Sequence, residues 1–426
     1  SANTIYQFLY ISIMKTISIK KAETKREMDD FVRFTNWLYA DCPYYVPDLE
    51  MDIRNTFDPR KNAGLEFSEI QPFIAYNDEG KPVGRIAGII NHRANKKWQT
   101  KNVRFGFIDF IDDLEVSATL LKAVEQWGKE HGMDSIQGPM GIFDFDKEGM
   151  LIEDFDKLGS MITIYNYPYY PKHMEVLGYE KEVDWVQICI EVPKEIPAKY
   201  ARVTKLSKEM FGLHVKKLTN DDVANHGYGR KVFELLNTAY APLFGYTELS
   251  DKQVDMYVKR YFPLIDKQML PVIQNENEEV IGVAITMGSL SHALQKTKGK
   301  LFPLGWYHLI RSLKWKKEEK VELLLIAVRP DYQGFGVNAL FFDDLIPVYN
   351  ERHFKWAETG PQLEDNVKAH LLQPDGSYEK VDKRGKVLVN SQDQFCEEAI
   401  EMAKACQESK DPAVTRIFQP IESSNE

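Results

Sequence analysis

The chain has 426 residues, 43% of them hydrophobic and 12% aromatic, and its formal net charge is −10. This length predicts two or three domains, and this composition excludes an intrinsically disordered protein. The 64 acidic residues outnumber the 54 basic ones, so we expect no DNA partner. The four cysteines contain no CxxC pair and offer neither a disulfide framework nor a zinc site, so we expect no metal.

The N-terminal segment shows no targeting pattern. The apolar stretch at 4–14 lacks a basic flank and a small-residue cleavage site, so we predict no signal peptide and take residue 15 as the start of the fold. No stretch approaches the ~18–20 consecutive apolar residues that a transmembrane helix needs. We therefore expect a cytoplasmic protein without a transmembrane segment.

Two segments have the same strand–turn–strand pattern. Residues 72–90 and 271–287 each contain a β-rich run, a polar turn, an apolar residue followed by glycine, and a second apolar run. Aligning Gly84 with Gly282 gives an offset of 198 residues. The repeat predicts two β-hairpins of one type.

Each hairpin is followed by an apolar strand and an amphipathic helix. The pattern places these strand–helix pairs at 103–111 with 115–131, and at 321–328 with 334–350. The second copy has about 21 extra residues, which fall in 289–320. Strands that alternate with helices predict an α/β protein with mixed sheets, built from two similar units. Two prolines in 192–197 and the polar stretch after them predict the linker.

The sharpest chemical signal lies at 321–340, where a buried strand, a Pro-Asp turn, a glycine-containing loop and a helix follow one another. Gly334 and Gly336 let the backbone approach a ligand, and the helix offers unpaired N–H groups and the positive end of its dipole. Together they form an anion site suited to a pyrophosphate. A lone Gly-x-Gly is more often a packing turn, so the wider context has to decide.

That context resembles motif A of the GNAT superfamily of N-acetyltransferases, in which Gln/Arg-x-x-Gly-x-Gly/Ala follows a strand and a turn. Here the motif is Gln333-Gly-Phe-Gly-Val-Asn338, with Asn338 in place of the usual small residue. Downstream, 354–359 is similar to the family's next strand, and 363–369 to the helix whose Asn, here Asn366, contacts the cofactor.

The resemblance implies acetyl-CoA, or another acyl-CoA, as cosubstrate. It implies a degenerate GNAT-like domain at 15–195 and a catalytic, acyl-CoA-binding GNAT-like domain at 205–426. Amides near Ala327 and Val328 would stabilise the oxyanion of the thioester. The residues assigned to cofactor binding are Ile326, Ala327, Val328, Gln333, Gly334, Phe335, Gly336, Val337, Asn338 and Asn366.

Two catalytic candidates follow from the same resemblance. In histone-type members a Glu that opens this strand is the general base, and Glu322 has the same spacing, eleven residues before Gln333. A carboxylate at the edge of an apolar strand is partly desolvated, which suits a base. The alternative is a surface ion pair with Lys320 or Lys317. The family's usual general acid, a Tyr, is missing from its place, and Tyr378 is the nearest candidate.

The first copy departs from the motif. Its strand, 105–111, runs into Asp112-Asp113-Leu114-Glu115 without a glycine loop. Three carboxylates there cap a helix and repel a phosphate, so we predict that this unit keeps the fold and has lost cofactor binding. Its later part, 138–179, resembles a little-studied group of two-domain GNAT-like bacterial proteins. We expect the aromatic run at 165–170 to pack in the core rather than to line a pocket.

The insertion contains an amphipathic stretch, 301–317, with Trp, Tyr and Phe next to basic residues. A membrane-surface helix has this composition, and so has a lid or a packed helix. In a soluble chain the lid or packed helix is the commoner case, and we expect it here.

The predicted function is direct acyl transfer, with acetyl-CoA as the expected donor and a primary amine of a small molecule or peptide as acceptor. Two alternatives stay open. One is tRNA-dependent aminoacyl transfer of the tandem-GNAT type, which the net acidity disfavours. The other is a non-catalytic acyl-CoA-binding protein, which Asn338 and the missing general acid favour. A monomer and a homodimer are both compatible with the sequence.

Overall fold

The computed structural model describes residues 17–314 and 318–364, and the backbone of 371–372 and 378–379. Asn366 therefore lies outside the described residues, and Tyr378 is described only as backbone. The described residues form two compact units. The first comprises 17–185, 243–256 and 289–314, and the second 186–242, 257–288 and the described residues from 318 onward.

Strands and helices alternate along the described chain. The strands are β1 (Ser18–Lys21), β2 (Ser68–Tyr76), β3 (Pro82–Asn91), β4 (Asn102–Phe110), β5 (Ser135–Gln137), β6 (Trp185–Val186), β7 (Cys189–Glu191), β8 (His214–Lys217), β9 (Pro271–Gln274), β10 (Val280–Gly288), β11 (Lys320–Val328), β12 (Trp356–Thr359), β13 (Gln362–Leu363), β14 (Leu371–Leu372) and β15 (Tyr378–Glu379). The helices are α1 (Lys25–Leu38), α2 (Glu50–Thr56), α3 (His92–Trp98), α4 (Leu114–Glu130), α5 (Tyr169–Val176), α6 (Ala198–Phe211), α7 (Asn220–Asn225), α8 (Tyr228–Tyr240), α9 (Asp251–Tyr261), α10 (Ser291–Thr297), α11 (Gly305–Lys314) and α12 (Val337–Glu351). Among the described helices, none combines the length and the apolar character that crossing a bilayer requires.

The two units share one sheet topology. In the first unit the strand order is β1-β2-β3-β4-β5, and only the last pair, β4 with β5, is parallel. In the second unit β8-β9-β10-β11-β12 repeats this order, with β11 and β12 as the parallel pair and β7 added beside β12. The prediction of two similar units with mixed α/β sheets is confirmed.

A glycine in the third strand of each sheet lets a helix approach closely. A Cβ on Gly84 would lie 2.7 Å from Leu120 Cδ1 on α4. A Cβ on Gly282 would lie 2.9 Å from both Phe341 Cζ and Val337 Cγ1 on α12. The glycines that align in the sequence therefore mark the same helix-on-sheet contact in both units.

The polar stretch after residue 197, expected as part of the linker, is helix α6. Its buried residues are Tyr200, Val203, Thr204 and Ser207, which have the i, i+3, i+4, i+7 spacing of one helix face. Three of the four carry a hydroxyl group and Val203 alone is aliphatic, so this face has little apolar signal. That is why the sequence pattern missed the helix.

The aromatic run of the first unit packs in its core, as expected. Tyr170 is buried and stacks on Phe110 with ring centroids 4.2 Å apart. Tyr165 is buried as well, and its hydroxyl donates to the backbone oxygen of Phe155 at 3.0 Å. The ring of Tyr170 belongs to the core that α4 forms on the sheet, and those of Tyr167 and Tyr169 pack against it.

A group of carboxyls surrounds Arg104 in the first unit. The guanidinium of Arg104 is buried and donates to the backbone oxygen of Gly141 at 3.3 Å. Asp146 accepts a hydrogen bond from the N–H of Ile142 at 2.8 Å. Burial, with a smaller contribution from the neighbouring Asp144, raises the pKa of Glu148 to about 8.

Replacing Glu148 by Gln is expected to stabilise the first unit at alkaline pH. The pKa of about 8 in the folded state exceeds the ordinary value of 4.5, so the stabilisation of the protonated form is complete below about pH 4.5 and is lost as the pH rises through 8. The free energy of unfolding of the variant minus that of the wild type should grow across this window by roughly 1.4 kcal/mol per pKa unit of the rise. Urea unfolding at several pH values measures it. The exposed Glu79→Gln variant is the control, and a difference for Glu148→Gln that does not depend on pH contradicts the prediction.

Candidate functional site

The parallel pair in the second unit is paired over only part of its length. β11 and β12 pair from Lys320 with Trp356 to Leu323 with Thr359. Beyond that point, no strand of the described residues pairs with 324–328 on this side of β11. We call residues 324–328 the open edge.

A β-bulge lies at the start of the open edge. Leu323 pairs with Thr286 on β10, and Leu325 pairs with Ile285, so Leu324 is the extra residue. A bulge of this kind bends the strand and re-aims the groups that follow it.

The register beyond the bulge decides which amides face the open edge. The N–H of Arg329 donates to the backbone oxygen of Ile281 at 2.8 Å. Hydrogen-bonded and non-hydrogen-bonded pairs alternate along an antiparallel ladder. Ala327 therefore directs its N–H and C=O toward β10, whereas Ile326 and Val328 direct theirs toward the open edge. Of the two amides named from the sequence, only that of Val328 faces this edge, and Ile326 provides the other.

Side chains occupy both carbonyls on the open edge. The hydroxyl of Tyr240 donates to the oxygen of Ile326 at 2.8 Å, and Nε2 of Gln333 donates to that of Val328 at 3.4 Å. Burial raises the pKa of Tyr240 to about 12, so its hydroxyl stays protonated at neutral pH. The sequence did not indicate Tyr240, because it ends α8, 86 residues before Ile326, and no local motif marks it.

The glycine loop lies directly before α12, and its two glycines differ in their surroundings. Both have positive φ, +88° at Gly334 and +76° at Gly336, which favours glycine. A Cβ on Gly334 would meet nothing within 4 Å, whereas one on Gly336 would lie 2.5 Å from Val203 Cγ1 and 2.6 Å from Ser207 Oγ of α6. Gly336 is thus required for packing, and Gly334 marks the side of the loop that is open to a ligand.

Neighbouring side chains hold the loop in place. The hydroxyl of Ser207 donates to the backbone oxygen of Phe335 at 2.7 Å. Arg329 lies over the Tyr332 ring, 4.6 Å from its centroid, and binds Asp331 at 2.8 Å and Glu279 at 3.3 Å. The loop is therefore anchored on both sides. The exposed Asn338 lies in the first turn of α12, where backbone N–H groups lack partners within the helix.

Glu322 lies on β11 and is only 1% exposed. Its Cα partner on β12 is Glu358, which accepts a hydrogen bond from Lys320 at 2.9 Å. Lys320 thus has a carboxylate partner other than Glu322, and Lys317 lies outside the described residues. Glu322 precedes Ile326 by four residues, roughly 13 Å along a strand, so a proton would reach it through water.

The structure thus places most of the predicted cofactor residues together. Ile326, Val328 and the loop at 333–338 lie around the open edge and the start of α12. Ala327 lies in the same strand with its amide turned away. Glu322 lies at the other end of β11, and Tyr240 joins the group from α8.

Tyrosines occupy the equivalent edge in the first unit. Phe110 pairs with Gly84 as Val328 pairs with Gly282, so Phe110 is the counterpart of Val328. The N–H of Phe110 donates to the hydroxyl of Tyr170 at 3.0 Å, and the hydroxyl of Tyr169 donates to the oxygen of Phe110 at 2.6 Å. The hydroxyl of Tyr170 thus occupies the N–H that corresponds to the outward-facing N–H of Val328, and the oxygen of Phe110, like that of Val328, accepts from a side chain.

The helix that follows β4 is also capped by its own chain. Asp113 is the N-cap of α4, and its Oδ1 accepts the N–H of Glu115 at 3.0 Å. Asp112 binds Nε2 of His173 at 3.1 Å. Loss of cofactor binding in the first unit stays a prediction, and both the cap and the tyrosines agree with it.

The strand order, the parallel last pair and the register shift in the fourth strand are common to both units, whereas the glycine loop lies before the helix of the second unit alone. Solved structures with a similar fold are GNAT acetyltransferases, tandem GNAT proteins among them.

Comparison with known proteins gives distant relatives. No family model matches the chain. The chain is 25% identical to Protein YghO of Escherichia coli (strain K12) over 325 residues, 72% of this chain and 78% of that protein. It is 24% identical to the bacterial ceramide synthase of Caulobacter vibrioides (strain NA1000 / CB15N) over 319 residues, 74% of this chain and 82% of that protein.

The solved structures are less similar to this chain in sequence than the two relatives are. The glucosamine N-acetyltransferase region of a fungal multi-domain GH3 β-N-acetylglucosaminidase matches with a TM-score of 0.47 at 13% identity, over 82% of this chain and 37% of that one. A tandem GNAT protein from the clavulanic acid biosynthesis pathway matches with a TM-score of 0.43 at 11% identity, over 82% of this chain and 91% of that one.

Proposed function

We propose that the chain is an N-acyltransferase that moves an acyl group from acyl-CoA to an amine in its second unit. The observation that carries this proposal is the open edge of β11, which has two outward-facing amides and continues into the glycine loop and the start of α12. A strand edge that offers amide donors suits an extended amide chain such as pantetheine. The start of a helix suits its pyrophosphate.

In this proposal the pyrophosphate lies on the backbone of 333–338, and the thioester carbonyl accepts a hydrogen bond from the N–H of Ile326. The amine nitrogen attacks the carbonyl carbon, and its proton passes through water to Glu322. The bond between carbon and sulfur then breaks. The departing thiolate takes a proton from Tyr240 or from water, which gives the amide and free CoA. Tyr240 thereby joins Tyr378 as a candidate general acid.

The acceptor class is a primary amine, and we extend it to amphiphilic amines. The relative from Caulobacter vibrioides is named a ceramide synthase, and a ceramide is the amide of a long-chain amino alcohol. We therefore propose a long-chain acyl-CoA and a long-chain amino alcohol as candidate substrates, beside acetyl-CoA and small or peptidic amines. We also propose the cytoplasm as the site of the reaction, because it supplies acyl-CoA.

The test is turnover of the full chain with acyl-CoAs of increasing length and a panel of amines. Release of the CoA thiol and mass spectrometry of the amide product measure it. We expect product with at least one donor and acceptor pair. Calorimetry that detects no binding of either short-chain or long-chain acyl-CoA would contradict the proposal.

Replacing Asn338 by Asp is expected to weaken acyl-CoA binding by about ten- to a hundredfold, because a new carboxylate would lie close to the pyrophosphate. The same charge in the first turn of a helix stabilises the helix by about 0.3–1 kcal/mol. Binding and stability should therefore change in opposite directions. Calorimetry and thermal unfolding measure the two.

Asn338→Ala is the matched control, because it removes the amide without adding charge, and it should change binding by only a few-fold. Equal binding by the Asp and Ala variants would show that the pyrophosphate lies elsewhere. Gly336→Asp is a poorer probe, because Val203 and Ser207 leave no room for its side chain.

The two alternatives give different results in the same assays. A tRNA-dependent transferase would bind tRNA with steep salt dependence and would not release CoA. A non-catalytic binding protein would bind acyl-CoA and give no product with any amine.

A further inference from the structure

The insertion of the second repeat contains α11, a helix whose fully buried residues are small and whose exposed residues include large apolar side chains. Residues 289–314 belong to the first unit, and α11 contacts α10 there. The buried residues of α11 are the small Gly305 and Ser312, seven positions apart on one face. A Cβ on Gly305 would lie 1.9 Å from the backbone oxygen of Lys300, so only glycine fits at this contact. Of the large apolar residues of the helix, Trp306, Tyr307 and Ile310 are exposed, whereas Leu309 and Leu313 are half-buried.

We define the apolar surface as the five large side chains that this arrangement leaves exposed. They are Phe302 at 70%, Leu304 at 64%, Trp306 at 43%, Tyr307 at 38% and Ile310 at 37%. Scattered apolar residues on a surface are ordinary, but five within nine positions form a patch, and such patches mark interaction sites. The lid or packed helix expected from the sequence would have buried these residues.

The cations around the apolar surface indicate that its binding partner is negatively charged. Residues 289–314 contain no Asp or Glu and carry five exposed cations, in a chain whose net charge is −10. Within the described part of the chain, none of the five forms an ion pair. They are Lys296, Lys298, Lys300, Arg311 and Lys314.

A cavity of about 540 Å³ lies beside the apolar surface. Phe302 and Leu304 line it together with Lys296, Lys298 and Lys300. The one carboxylate in the lining, that of Glu50, is paired with Arg33 at 3.2 Å, so the cavity has an excess of positive charge. A site that combines apolar side chains with several ammonium groups suits a molecule with an anionic head and a hydrocarbon tail.

The segment is fixed to the rest of the first unit. Nε2 of Gln295 donates to the backbone oxygen of Pro43 at 2.7 Å, and the N–H of Glu50 donates to that of Gly299 at 2.8 Å. The apolar surface is therefore held outward in one orientation. A membrane-surface helix needs this combination of outward Trp, Tyr, Phe and Leu with flanking basic residues.

We propose that the apolar surface and its five cations attach the protein peripherally to anionic lipid bilayers. The apolar side chains would enter the boundary between headgroups and acyl chains, and the ammonium and guanidinium groups would bind lipid phosphates. This attachment goes beyond the proposed acyl transfer. It does not depend on that activity, because binding to a vesicle requires no turnover.

The test is flotation of the full chain with vesicles of phosphatidylcholine alone and of phosphatidylcholine mixed with phosphatidylglycerol. Binding to the anionic vesicles, weakened by salt, and little binding to the neutral ones is the expected result. Trp306→Ala with Ile310→Ala should lower the affinity about tenfold. Lys296→Glu with Lys300→Glu should lower it by at least about tenfold.

Matched controls carry the same changes elsewhere on the first unit. Ile152→Ala with Val176→Ala removes exposed apolar groups, and Lys122→Glu with Lys172→Glu reverses exposed charges. Both controls should bind like the wild type. Equal binding to the two kinds of vesicle, or equal losses in controls and surface variants, would overturn the proposal. Two further results would also overturn it. One is a wild type that binds neither kind of vesicle, and the other is a Trp306→Ala, Ile310→Ala variant that differs from the wild type in oligomeric state but not in vesicle binding.

Discussion

Replacing Glu322 by Gln is expected to lower kcat by about two to four orders of magnitude, the range that a positioned general base contributes. Glutamine has nearly the same shape, so acyl-CoA affinity and thermal stability should change little. The carboxylate is buried on β11, four residues before Ile326, the proposed oxyanion donor. Steady-state kinetics and calorimetry on the same samples separate kcat from binding.

The neighbouring strand offers a matched control. Glu358 is the Cα partner of Glu322 on β12 and binds Lys320 at 2.9 Å. Glu358→Gln removes a carboxylate from the same register without removing the proposed base, so it should retain most of the activity.

A second readout distinguishes a base from a structural residue. The rate of Glu322→Gln should rise steeply with pH, because at high pH the amine acceptor loses its proton without help. A variant with wild-type kcat, or with a defect equal to that of Glu358→Gln, would remove Glu322 from the proposed reaction.

Replacing Asp109 by Ala is expected to lower the free energy of unfolding of the first unit by about 3–5 kcal/mol, because it leaves a buried cation without its partner. Arg85 and Asp109 are both buried, and Nε of Arg85 donates to Oδ2 of Asp109 at 2.9 Å. The hydroxyl of Tyr39 donates to Oδ1 of Asp109 at 3.0 Å and lies 2.9 Å from the hydroxyl of Tyr170. One substitution therefore disturbs the ion pair and the tyrosines that occupy the edge of β4. Urea unfolding followed by circular dichroism measures the loss.

The double variant Arg85→Met, Asp109→Leu should recover much of this loss, because an apolar pair of similar volume replaces both charges. The exposed pair of Lys81 and Glu79 provides the control, and Glu79→Ala should change stability little. A double variant no more stable than Asp109→Ala would show that the cost arises from packing and not from the unpaired charge.

Local patterns predicted the repeat because each copy must meet the same packing requirement. Gly84 and Gly282 admit the helices that follow the fourth strands, so the two glycines recur with the hairpins around them. The loop at 333–338 was also visible in the sequence, because a positive φ and a helix start demand particular residues at fixed positions. Helix α6 was missed because three of its four buried residues carry hydroxyl groups.

The sequence by itself determined two α/β units of one topology and the difference between a glycine loop in the second and acidic caps in the first. These features depend on neighbours in the chain. The tertiary structure decided which amides of β11 face the open edge, because the antiparallel register sets that alternation. It also places the hydroxyl of Tyr240 against the backbone oxygen of Ile326. In α11 it packs Gly305 against the backbone and leaves Trp306 and Tyr307 exposed. Such contacts join residues far apart in the chain, and periodicity shows that a helix has two faces without showing which one the rest of the protein covers.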